Sequence, residues 1–315
     1  MSKEMLYQRD VYGKTLVELG KKNPQIVVLD ADLSGSTRTA LFGKEFPDRF
    51  FNFGVAEQNM MAAASGMASC GKIVFASTFA MFATGRAWDQ IRNSIAYSNL
   101  NVKIVATHAG ITVGPDGATH QALEDMTLMR VIPNMKVIVP CDGPQTRAAV
   151  IAAAEMPGPV YIRLGRAKFP TIDIKEKFEI GKADILTEGK DATIFACGVM
   201  VNNALEACCT LSNAGIKCAV INMHTVKPID KKVIGEFMKT KAPFYICEEH
   251  TAIGGLGSAV EEVVAHTGTN CKVRRIAVDD RFGQSGDPDE LLKLYRLTAA
   301  DIAQIIKKDF KKYKG

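Results

Sequence analysis

A single carboxylate, Glu57, stands among Phe, Gly, Val, Ala and Met in the stretch from Phe50 to Phe82. An acid in such surroundings is costly to bury as an anion. It must be protonated or hydrogen-bond to a group that needs a proton. Phe79 and Phe82 follow an apolar run nearby and offer a flat slot. Carboxyl plus aromatic slot suits an aminopyrimidine ring. A second cluster lies on one glycine-punctuated segment, HAGITVGPDGATHQ (108–121), with His108, Asp116 and His120. Histidine shuttles protons and hydrogen-bonds sugar hydroxyls near neutral pH. A lone histidine is more often structural, but two with an aspartate on one loop point to a site. A metal is a rival occupant, and an irregular loop leaves its geometry open. Arg9 and Arg166 are surface arginines by default. Arg166, just after the strand-like YIRLG, suits a phosphate, because a guanidinium fork binds two oxygens at once. The segment DADLSGST (30–37), with Asp32 and Ser36, could bind an anion through backbone N–H groups, although a capped turn is the simpler reading. CGV (197–199) and GGLG (254–257) lack the spacing of a dinucleotide fingerprint, and the latter reads as a turn opening a helix.

The elements that must position these groups alternate between strand and helix. Residues 8–21 carry Val11, Leu16 and Leu19 at helical spacing. Strands are predicted at 26–32, 72–77, 102–108, 135–142 and 159–166. Helices are predicted at 56–70, 83–98, 121–130 and 143–156, with Trp88, Ile91 and Ile95 on one face of the second. This rhythm predicts an α/β fold, a parallel sheet with helices on both faces. The candidate residues fall at strand C-terminal ends, where open parallel sheets bind ligands. Residues 168–190, rich in charge and turn formers, read as a linker with short irregular strands. A second βα series follows, with strands at 192–198, 218–223, 243–250 and 273–278 and a final helix near 299–312.

Composition bounds the possibilities. At 315 residues, 47% hydrophobic and 23% charged, the chain can build two cores and is not disordered. The net charge of +5 is modest, and its one dense basic cluster, Lys307 to Lys314, reads as a solvated helix face. No basic stripe with interleaved aromatics favours nucleic acid. No apolar run approaches the ~20 residues of a membrane span. The polar start predicts no signal peptide. The eight cysteines form no CxxC pair, which predicts buried thiols in a reducing, cytoplasmic setting and no zinc site.

Taken in order, Arg9, Asp32, Ser36, FGVAEQNM with Glu57, STFAMF, THAGITVGPDGATHQ, IPNMKVIVPCD and LGRAKF resemble the C-terminal half of the transketolase family. FGQSG (282–286) continues the likeness weakly, so it covers almost the whole chain. The resemblance implies a pyrimidine-binding domain at 1–167, the linker at 168–190 and a smaller, non-catalytic transketolase C-terminal domain at 191–315. It implies thiamine diphosphate as cofactor. Glu57 then hydrogen-bonds and protonates the pyrimidine, Phe82 stacks on it with Phe79 beside it, and Asp32 lies close to the cofactor. His120 and Asp116 contact substrate hydroxyls, with His120 also catalytic. Arg9, Ser36, His108 and Arg166 cradle a sugar phosphate. The implied reaction moves a two-carbon ketol unit from a ketose phosphate to an aldose phosphate, with the cofactor doing the hard step.

Two departures qualify the resemblance. Where the family carries a tyrosine three residues after the stacking phenylalanine, this chain has Gly85, and Trp88 is the candidate to close the pocket. The Gly-Asp-Gly…Asn motif that holds Mg²⁺ and the diphosphate is not found. The expectation is therefore a split enzyme. This chain would be the small subunit, paired with a large diphosphate-binding subunit in an α2β2 heterotetramer. Rival readings are the β subunit of a 2-oxoacid dehydrogenase, a 1-deoxyxylulose-5-phosphate synthase, and an inactive homologue acting as a binding module. The phosphate-type arginines and paired histidines weigh against the first. The start at Met1 weighs against the second, whose members are normally single long chains. The retained Glu57, both histidines and both arginines weigh against the third.

Overall fold

Runs of β-branched residues form the strands, and runs of small residues let the helices between them pack closely. A computed structural model describes residues 4–174, 176–268 and 270–314. The predicted domain ends at residues 1–3 and at Gly315 lie outside them. The first part contains β1 (Met5–Tyr7), α1 (Gln8–Lys22), β2 (Ile26–Asp30), α2 (Ser34–Thr37), α3 (Ala40–Glu45), β3 (Phe50–Asn52), α4 (Glu57–Ser69) and β4 (Ile73–Phe79). It continues with β5 (Val102–Thr107), α5 (Asp125–Arg130), β6 (Lys136–Ile138), α6 (Gly143–Glu155), β7 (Val160–Arg163) and β8 (Lys168–Pro170). The second part contains β9 (Asp184–Thr187), β10 (Ala192–Ala196), α7 (Met200–Asn213), β11 (Cys218–Asn222), β12 (Thr225–Lys227) and α8 (Lys231–Met238). It ends with β13 (Phe244–Thr251), α9 (Leu256–His266), β14 (Val273–Val278), α10 (Pro288–Leu294) and α11 (Ala299–Lys314).

The α/β fold is as expected. The larger sheet has the order β12-β6-β7-β5-β4-β2-β3 and is parallel except for β12. Alternate residues of its strands enter two different cores: Leu29, Val74 and Ile104 face one way, Val28, Phe75 and Val105 the other. Burial on both faces explains why these strands read as continuous apolar runs. The second sheet has the order β14-β13-β10-β11-β9 and is parallel except for β9. In α6, Asp142 accepts from the Gln145 amide at 2.8 Å and Pro144 occupies the first turn, a well-signalled helix start. Lys307, Lys308, Lys311 and Lys312 are exposed on α11, and the side chain of Lys314 lies outside the described residues. No helix among the described residues is long and apolar enough to cross a membrane.

The short strands expected within 168–190 are paired: β8 pairs antiparallel with β1, and β9 joins the second sheet. Two features depart from the sequence reading. Residues 121–124 precede the helix, which starts at Asp125. The predicted helix at 83–98 is wound instead as two π-helical stretches, Phe82–Arg86 and Gln90–Ala96.

The two parts share one interior. β12 crosses over to add an edge strand beside β6, and one apolar cluster runs from Leu29 and Val74 to Phe195 and Phe244. Buried charges stitch the seam. Arg163 Nε donates to Asp125 Oδ2 at 2.8 Å, and the Tyr161 hydroxyl donates to the same oxygen at 2.7 Å. Arg163 Nη2 reaches across to the Glu249 carbonyl at 2.9 Å. Removing one member of so deeply buried a pair costs roughly 3–5 kcal/mol, because the other charge is left uncompensated.

Candidate active site

Glu57 opens α4, where the helix N-terminus favours a negative group. Its side chain is 1% exposed. Arg86 Nη1 donates to its Oε1 at 2.7 Å, whereas Oε2 is buried and has no hydrogen-bond partner among the described residues. Glu57 is therefore not the isolated acid its neighbours in sequence suggest: one oxygen is taken and one is free. Arg86 also lies over the Phe82 ring, 4.5 Å from its centroid, and its carbonyl accepts from Gln58 Nε2 at 3.1 Å. Arg86 ends the first π-helical stretch. Such wider turns shift side chains out of the 3.6-residue register and are frequent at functional sites. A regular helix at 83–98 hides this contact. The available signal was a charged residue directly after Gly85 in an otherwise apolar segment. Trp88 Nε1 donates to the Leu128 carbonyl at 3.0 Å, and Arg86 lies over Phe82.

The aromatic and histidine residues come together. Phe79 is the last residue of β4, and its ring is stacked on Phe82 with centroids 6.0 Å apart. It also stacks on His108, with centroids 3.8 Å apart. His120 meets Phe82 edge-on at 5.2 Å. His108 follows the end of β5 with a left-handed φ of 59°, a conformation that non-glycine residues adopt at some cost and often at sites. Its Nδ1 shares a hydrogen bond with Thr107 Oγ1 at 2.9 Å. Burial first, then the positive fields of Arg9 and Arg166 and the neighbouring His120, push its pKa down to about 3. His108 is thus neutral at pH 7.

Arg9 and Arg166 are close enough to His108 to act on its charge. Arg9 Nη1 donates to the carbonyl of Ser36 at 3.5 Å, so the Ser36 backbone meets Arg9. Arg9 Nε is buried and has no partner among the described residues. Its pKa is lowered by burial and then by Arg38, with a smaller effect of Arg166 in the same sense. Cations gathered this closely, with one donor unused, suit an anion. Asp32 is exposed with φ 64°, and Asn52 Nδ2 donates to its Oδ1 at 3.2 Å. Asp116 is exposed on the turn between Gly114 and Gly117. Asp30 takes the capping role in its loop: its carboxylate accepts from Thr37 Oγ1, Thr39 Oγ1 and the Leu33 amide. Among the described residues no cluster of His, Cys, Asp or Glu is placed to hold a metal.

The depressed His108 pKa carries a sign. Between about pH 3 and the ordinary 6.5, the unfolded chain binds a proton that the folded chain refuses. Stability is therefore complete above 6.5 and is lost as pH falls through this window. His108→Asn is expected to remove roughly 3 kcal/mol of the stability loss between pH 6.5 and about 4. Urea unfolding of both proteins at the two pH values checks this.

Comparisons with known proteins agree with this layout. Residues 4–171 match the transketolase pyrimidine-binding domain model, and residues 181–302 match the transketolase C-terminal domain model. A protein of Methanocaldococcus jannaschii, named as a transketolase C-terminal section, is 55% identical over 307 residues, covering 96% of each chain. The 6-deoxy-6-sulfo-D-fructose transketolase subunit SqwH of a Clostridium species is 44% identical, covering 94% of this chain and 92% of that one. A solved structure described as a split gene transketolase, inactive beta4 tetramer, superposes with a TM-score of 0.88 at 50% identity, covering 98% of this chain and 99% of that one. This chain is a member of the transketolase family and carries its pyrimidine-binding and C-terminal domains.

Proposed function

We propose that this chain is the small subunit of a split transketolase and works only with a separate large subunit that grips the diphosphate of thiamine diphosphate. The observation that carries the reading is Glu57 Oε2, a buried carboxylate oxygen with no partner next to an aromatic slot. A buried acceptor left open costs about 1–3 kcal/mol or more, so a ligand group that fills it is the economical explanation. The pyrimidine half of the cofactor fits: a ring nitrogen for Oε2 and a flat face for Phe82 with Phe79 beside it. Asp32 lies at the cofactor edge. When bound, thiamine diphosphate supplies the carbon nucleophile that cleaves a bond next to a sugar carbonyl.

The protein residues do the rest. Glu57 Oε2 holds a proton at the pyrimidine nitrogen, while Arg86 keeps Oε1 fixed. The phenylalanines exclude water. His120 moves protons at the substrate hydroxyls, with Asp116 contacting them. Neutral His108, Arg9, Ser36 and Arg166 cradle the anionic end of the sugar. We assign Mg²⁺ and the diphosphate to the partner chain, because the motif that binds them is missing from this sequence. An α2β2 heterotetramer brings both halves together, in the cytoplasm. The reference substrates are xylulose 5-phosphate as donor and ribose 5-phosphate as acceptor, as in the pentose phosphate pathway. The Clostridium relative, named for a sulfonated fructose, supports a second substrate reading, since a sulfonate fits the same arginine cradle.

Mixing the chain with its large subunit, thiamine diphosphate and Mg²⁺ is expected to give ketol transfer from xylulose 5-phosphate to ribose 5-phosphate, or from 6-deoxy-6-sulfofructose. Neither chain alone should turn over. Glu57→Gln is expected to lower kcat of the complex by about 100-fold or more, the scale of a lost proton-transfer group. Arg166→Ala is expected to raise KM for anionic sugars about tenfold or more with a smaller effect on kcat. An unchanged KM would remove Arg166 from the cradle.

A further inference from the structure

The histidine loop, residues 109–121, is irregular and glycine-rich, so nothing in its own sequence makes it rigid. It is nevertheless buried over much of its length. Its rigidity comes from elsewhere in the chain. Glu249, on β13 of the C-terminal domain, is 3% exposed. Its Oε1 accepts the Thr112 amide at 2.5 Å across a separation of 137 residues. The Glu249 carboxyl also fills the space beside Gly110, where a Cβ would overlap it. Gly110 has φ 79°, so both backbone conformation and space demand glycine there.

Two more contacts tie the loop to the same domain. Gln121 Nε2 donates to the Gln284 carbonyl at 2.9 Å and to the Ile111 carbonyl at 3.1 Å. Ser285 Oγ packs on Gly117, where a Cβ would again be too close. These partners belong to FGQSG (282–286), the weakest part of the family likeness. Behind Glu249, Arg163 Nη2 bridges its carbonyl and the Ala122 carbonyl at 2.9 and 3.2 Å, tying the clamp to β7.

We propose that the C-terminal domain positions the histidine loop: Glu249 and the segment 282–286 clamp residues 109–121 and so set where His108 and His120 stand against Phe79 and Phe82. Glu249 is a positioning residue that acts through the loop backbone. The kinetic consequence rests on the transketolase reading above, whereas the clamp does not. An error of about 1 Å in such a group can cost ~100-fold in rate, which gives the domain a reason to hold the loop.

Amide hydrogen exchange on the full chain alone tests the clamp. In Glu249→Ala, amides of residues 110–114 are expected to exchange roughly tenfold or more faster than in the wild type. Amides of β10 should be unchanged. Glu249→Gln keeps an acceptor for the Thr112 amide and should stay near wild type. Equal loop protection in Glu249→Ala, or acceleration spread evenly over β10 and the loop, would overturn the clamp. If Glu249→Ala does not fold, Gln121→Ala is read the same way: acceleration confined to the loop supports the proposal, and its absence overturns it. In the complex with the large subunit, Glu249→Ala should lower kcat/KM at least about tenfold and Glu249→Gln should restore it. Unchanged kcat/KM in a variant with a loosened loop would overturn the positioning role. An inactive wild-type complex would count against the transketolase reading and leave the exchange result standing.

Discussion

A buried carboxylate with one satisfied oxygen and one open oxygen is the constraint on which the rest of this molecule turns. Glu57 is held by Arg86 at Oε1, and Oε2 has no partner among the described residues. Leaving such an oxygen open is costly, and the surroundings must hold the group in place. The surroundings are specific. α4 sets Glu57 at a helix start, the π-helical stretch brings Arg86 back onto it, and Arg86 in turn lies over Phe82. The open oxygen, the aromatic slot and the guanidinium form one unit, and each member loses its meaning without the others.

Around that unit the fold separates two tasks. The parallel sheet delivers Phe79 and His108 from the ends of adjacent strands, a register that places their rings in contact. The second domain does not enter the ring cluster. It contributes β12 to the sheet edge and Glu249 to the loop, and so completes a scaffold that the first domain begins. The family boundary between two domains is real in sequence, but the interior and the hydrogen bond from Arg163 to the Glu249 carbonyl run across it.

Much of this was legible in the chain. Glu57, Phe79, Phe82, His108 and His120 lie on short segments with strong local signals, and the alternating apolar runs give strand order its raw material. What escaped reading has physical reasons. Arg86 was hidden because π winding breaks the period on which helix prediction relies. Glu249 was hidden because a contact across 137 residues leaves no local trace. Short strands were expected within 168–190, but their bounds and pairing were not, because short edge strands in a charged, turn-rich segment carry almost no alternation.

The central claim is that this chain offers a pyrimidine site that is only half of a cofactor site. Calorimetric titration of thiamine diphosphate with Mg²⁺ measures it most directly, first into the chain alone and then into its mixture with the large subunit. The account predicts no saturable binding to the chain alone and tight binding to the mixture that is weakened at least about tenfold by Glu57→Gln in this chain. Tight binding to the isolated chain, or binding by the mixture that ignores Glu57→Gln, would contradict it.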